Sequence, residues 1–101
     1  MEYVTKVGEN AEVLLAGKLA FDKANVLMDE LRSLENKGVK SIDFFCKDLE
    51  YISSAGIRAI IFAKQKIDRN VEMILRLHNV KPEVFEVFSM SGIEQYLEFI
   101  D

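Results

Sequence analysis

One cysteine, one histidine, one proline and five glycines stand in a chain of 101 residues that has no tryptophan and no excess of positive charge. Most of these shortages exclude a class of function. The lone thiol, Cys46, forms no internal disulfide; inside an apolar run it reads as a small buried hydrophobe suited to a reducing compartment. His78 has no second histidine and no thiolate cluster to join it, so a metal site of the zinc type lacks ligands. No Gly-rich loop ending in Lys and Ser or Thr is present to cradle phosphates, which removes the usual sign of nucleotide hydrolysis. A net charge of −4 supplies no basic face for a phosphate backbone, so direct nucleic-acid binding is not expected. Charges interrupt every apolar run well short of the roughly 20 residues that span a bilayer. Met1-Glu2-Tyr3-Val4 also lacks the basic and apolar regions of a secretory signal, so a cytoplasmic location away from membranes is expected.

Half of the residues are apolar, enough for one compact core and a single domain over residues 1–101. Tyr3 to Val7 and Ala11 to Leu15 read as two strands around a Gly8-Glu9-Asn10 turn. Ala24, Leu27, Met28, Leu31 and Leu34 recur at helical spacing, with Asp22 placed as the N-cap and Gly38 as the C-terminal stop. Ile42 to Cys46 reads as a buried strand, Ala55 to Ile67 as a helix flat on a sheet, and Val71 to Leu77 as the next strand. Pro82 opens a last helix whose buried side is Val84, Phe85 and Phe88, and Gly92 lies beyond its end. Tyr96 to Ile100 supplies a short final strand. Strands alternating with helices after a hairpin make an α/β layer around a mainly parallel sheet.

Tyr51-Ile52-Ser53-Ser54-Ala55-Gly56-Ile57-Arg58 sets two hydroxyls and a glycine where a loop becomes an apolar helix. A serine there caps the open N–H groups of the first turn, and the same positive end tolerates a phosphate. Phe21 and Tyr51 are the foremost interface candidates near it, whereas Ile52 and Ile57 read better as core. Arg58 is placed to pair with a phosphate or an acidic partner, or simply to face solvent. Glu83 and Glu86 lie in a first helical turn, where the dipole alone accounts for acids, and His78 reads as a strand-end surface residue.

Gly17-Lys18-Leu19, Ala24 and Leu27, Asp48-Leu49 ahead of Ile52-Ser53-Ser54-Ala55-Gly56-Ile57, and Phe88-Ser89-Met90-Ser91-Gly92-Ile93 follow in an order that resembles the STAS domain of bacterial anti-sigma factor antagonists. The resemblance runs from Val4 to Ile100. It implies an α/β, STAS-like fold: an N-terminal β-hairpin joined to a mainly parallel four- to five-stranded sheet packed against helices. It also implies a partner-switching regulator, not an enzyme, that needs no cofactor or metal. In its unphosphorylated form such a protein binds an anti-sigma factor with serine kinase activity and releases the sigma factor. Phosphorylation switches it off, and a serine phosphatase restores it.

By that resemblance the phospho-acceptor falls on Ser54, with Ser53 the second choice. Partner contacts fall on Leu19, Phe21, Asp22, Tyr51, Ser53, Ala55, Gly56, Ile57 and Arg58. Lys18, Ala20, Phe45 and Ser53 stand where the family commonly has acidic or polar residues. Those departures point to an alternative, a phosphorylation-independent docking module of a larger signalling complex. A third reading makes the chain a small enzyme subunit or phosphocarrier, with Ser54 as nucleophile and His78 as its distant base. Association into homo-oligomers is left open.

Overall fold

The computed structural model describes residues 2–66 and 73–101. Strand β1 (Val4–Val7) and strand β2 (Asn10–Leu19) form the antiparallel hairpin, with Val7 opposite Asn10. Only Gly8 and Glu9 are left to turn, and Gly8 takes the positive φ of +62° that a tight hairpin demands. The turn is therefore shorter than the sequence predicts, and β2 runs four residues past Leu15.

Helix α1 (Phe21–Arg32), strand β3 (Ser41–Ile52), helix α2 (Ser54–Lys66), strand β4 (Ile74–His78), helix α3 (Pro82–Met90) and strand β5 (Glu98–Ile100) complete the fold. The sheet order is β1-β2-β3-β4-β5, and every pairing after the hairpin is parallel. Consecutive right-handed crossovers between neighbouring strands place their helices on the same side of a sheet. Burial follows that rule. Val13, Leu15, Ile42, Phe44, Leu75 and Leu77 are covered, while the alternating Glu12, Leu14, Asp43, Phe45, Arg76 and His78 stay exposed or half-buried. Phe88 of α3 closes the far end of this core edge-on to Phe99 of β5. Cys46 lies within it, and burial pushes its thiol up to about 12, which keeps it protonated and inert.

Several local expectations are corrected. Ala20, not Asp22, occupies the N-cap of α1, without a side-chain bond; Asp22 sits inside the first turn, where its charge still favours the dipole. The helix ends at Arg32, and Gly38 turns the chain later, at φ +77°. Strand β3 continues to Ile52 because Leu49 and Ile52 keep pairing with β2 across two register shifts. Phe85 is 39% exposed and packs edge-on to Phe99 instead of entering the core. Ile67, Val71 and Glu72, which the sequence assigns to α2 and β4, lie outside the described residues.

His78 is not a free surface residue. Its Nε2 lies 2.7 Å from Asp43 Oδ1, and its ring stacks on Phe45 with centroids 4.8 Å apart. Arg76 donates from Nε and Nη2 to the same carboxylate, at 2.7 and 3.1 Å. An ionised carboxylate only accepts, so the proton of this contact belongs to Nε2. The Arg76 hydrogen bonds, and after them that of His78, hold Asp43 down at about 2, against the opposing cost of burial. A lowered carboxylate contributes stability above its unfolded pKa and loses it as pH falls through the folded value. Wild type is thus expected to lose about 1–2 kcal/mol between roughly pH 4 and pH 2 that Asp43→Asn does not lose. Urea unfolding midpoints measured across that range check it, and parallel curves for the two chains contradict it.

Candidate functional site

The first turn of α2 meets the ends of β2 and β3 where both strands leave the sheet. Ser53 N–H donates to Leu19 O at 3.0 Å, which ties the loop to β2. Ile57 N–H then donates to Ser53 O at 3.0 Å, and Gly56 N–H to Ser53 Oγ at 3.3 Å. Ser53 is therefore the N-cap of α2, and its hydroxyl is already engaged. Ser54 is the first helical residue, and it is exposed. A negative charge on its oxygen would face the positive end of α2.

Gly56 permits this docking from the inside. A Cβ built there would stand 2.7 Å from Ile52 Cγ1, 3.0 Å from Leu19 O and 3.1 Å from Leu19 Cδ2. The missing side chain serves close packing of helix on strands. Leu19, at 2% exposure, and Ile57, at 4%, are likewise core residues and offer no exposed contact. The proposed contact set is corrected accordingly: these three support the surface from beneath. Phe21, Asp22, Tyr51 and Arg58 are exposed, and Ser53 and Ala55 are half-buried.

Phe21 departs from ordinary backbone preference. Its φ of +50° is left-handed, a conformation that costs a bulky residue on the order of 1–3 kcal/mol. The residue is 84% exposed, so packing does not offset that cost within the chain. Tyr51, 49% exposed, stands on β3 with its Cα opposite that of Lys18 on β2. Lys18, Ala20, Phe21, Asp22, Lys23 and Tyr51 together line a shallow depression of about 530 Å³. Lys23 went unnoticed in the sequence; lysines at 18 and 23 flanking an aromatic in an acidic chain were the available sign.

Ser54 and His78 do not come together. Phe45, opposite His78 in register, precedes Ile52 by seven residues of β3, so at about 3.3 Å per residue the two groups lie roughly 20 Å apart. The base required by the enzyme reading is thus well back along the strand, bonded to Asp43. Among the described residues no cluster of His, Cys, Asp and Glu is arranged to hold a metal. No described helix is long and apolar enough to cross a membrane.

Comparison with known proteins places the chain in a family and a fold. The STAS domain profile matches residues 4–101. A Bordetella bronchiseptica protein, BtrV, named as an anti-sigma factor antagonist, is 36% identical over 78 residues, 77% of this chain. That match spans 66% of the relative's length, just under two thirds. The unphosphorylated form of the anti-sigma factor antagonist SpoIIAA superposes with a TM-score of 0.73 over 97% of this chain and 84% of its own, at 16% identity. A Thermotoga maritima protein also named as an anti-sigma factor antagonist gives a TM-score of 0.82 over the same shares, at 18% identity. At such identities the two structures establish the shared fold.

Proposed function

From the premise that this chain belongs to the STAS domain family, we propose that it is an anti-sigma factor antagonist switched by phosphorylation of Ser54. The observation that carries the reading is the division of labour between the two serines: Ser53 holds the cap, which leaves the Ser54 hydroxyl exposed at the helix mouth. The unphosphorylated chain binds an anti-sigma factor that is also a serine kinase, and the sigma factor is released. In the transfer step Ser54 Oγ bonds to the γ-phosphorus of ATP, the bond to the β,γ-bridging oxygen breaks, ADP leaves, and the hydroxyl proton passes to a kinase base. A serine phosphatase reverses the modification. The chain itself binds and accepts phosphate without catalysis, in the cytoplasm where ATP and sigma factors are found.

Phosphate adds ~1.5 to 2 negative charges and three acceptor oxygens. The helix end tolerates them, so the domain keeps its fold, but a partner closing over Ser54 would have to bury them unpaired. Incubation with the anti-sigma factor kinase of the source organism and ATP is expected to label wild type and Ser53→Ala, but not Ser54→Ala. Label that persists in Ser54→Ala overturns the assignment. Lys18, Ala20, Phe45 and Ser53 favour a second reading, in which the same face docks a larger signalling complex without phosphorylation. Tight binding by protein isolated from cells in which no phosphoserine is found would select it.

A further inference from the structure

We infer that the depression beside Ser54 is shaped for a protein partner that inserts an apolar side chain between Phe21 and Tyr51 and sets a carboxylate against Lys18 and Lys23. The inference rests on the docking role proposed above and names the chemistry of the partner's surface. Its first support is Phe21: a bulky residue kept in left-handed backbone while it is 84% exposed finds little packing inside the free chain to offset the strain. Strain of this kind persists where the conformation serves binding, and an anchor set before the encounter need not be ordered during it.

The second support is the lining. The small Ala20 lines it together with Phe21 and Tyr51, and aromatic residues are among the types that dominate interface energetics. Two lysines and one carboxylate, Asp22, line the depression, and Arg58 lies exposed one turn beyond Ser54 on α2. That balance complements a partner carrying an isolated carboxylate. It suits dense negative charge less well, because Asp22 opposes it, and a bare phosphate would leave the aromatic pair unused. Position is the third support: Cα of Lys18 is opposite that of Tyr51, and Leu19 O holds Ser53 N–H, so the depression lies at the strand ends from which the chain passes into Ser54.

The test measures binding of a purified anti-sigma factor from the source organism to wild type, Phe21→Gly, Lys18→Glu and Ser54→Asp, with melting curves of the free chains. Glycine accepts left-handed backbone freely, so Phe21→Gly is expected to melt at or above wild type yet bind at least about tenfold more weakly. Lys18→Glu is expected to associate several-fold more slowly at low salt, with the difference shrinking as salt rises. Phe21→Gly that melts more than about 5 °C below wild type shows a structural ring and overturns the inference. So does Phe21→Gly affinity equal to wild type while Ser54→Asp releases the partner, an outcome that leaves the switch intact. Faster association by Lys18→Glu means that the lysines meet cations, against the proposal. If wild type binds no anti-sigma factor, the docking role fails first and this inference falls with it.

Discussion

Ser54→Asp is expected to weaken binding to the anti-sigma factor by roughly 30- to 1,000-fold, about 2–4 kcal/mol, without loss of fold. The two effects separate because one charge meets two environments. In the free chain an acid at the first helical position adds to the dipole interaction, worth about 0.3–1 kcal/mol, so thermal stability should hold or rise slightly. In the complex the same carboxylate is desolvated opposite a surface selected for a neutral hydroxyl. Ser54→Asn, similar in size but uncharged, should lose much less and so distinguishes charge from bulk. Titration calorimetry alongside melting curves reads both quantities. Equal affinity for wild type, Ser54→Asp and Ser54→Asn would remove the switch.

The largest expected effect on stability comes from Glu30, far from the site. It is 8% exposed in the last turn of α1, where the dipole opposes an acid. Its carboxylate accepts the backbone N–H groups of Tyr3 at 2.9 Å and Val4 at 3.0 Å on one oxygen, and that of Glu2 at 3.1 Å on the other. It thereby fastens the entry of β1 to α1. Glu30→Ala leaves these donors without a charged acceptor and should cost about 2–4 kcal/mol. Water reaching the chain end reduces the sum below that of three independent bonds. Glu30→Gln keeps one carbonyl acceptor but turns an N–H₂ toward other donors, so it should lie between. Urea unfolding at constant m-value measures both, and amide exchange should quicken first at Tyr3 and Val4. A loss under about 0.5 kcal/mol would contradict the clamp.

The sequence made the α/β order legible because it rests on short-range signals. Strand and helix periods read directly from Met73, Leu75 and Leu77 or from Ala24, Leu27 and Leu31, and all six are buried. Pro82 does start α3, as proline's fixed φ and missing donor require. Glu30 was invisible because its partners are backbone groups up to 28 residues away, and no side-chain pattern encodes such a partner. The unfavourable acid in a last helical turn was the available clue. Leu19 and Ile57 entered the contact set through proximity to the serines in sequence, but alternation along β2 and the packing of α2 turn them inward.

What the sequence alone determined is therefore the order of elements, the hydrophobic set that fills one side of the sheet, and the segment in which two adjacent serines open α2. All are properties of residues within a turn or a strand of one another. Tertiary structure decided which serine is free, because the cap depends on where Leu19 holds the loop and how closely Gly56 lets α2 approach. It also decided which apolar residues remain outside, and it set Phe21, Tyr51 and Lys18 around one depression. Those outcomes depend on strand register and helix docking, which bring together residues some thirty positions apart and which no local pattern specifies.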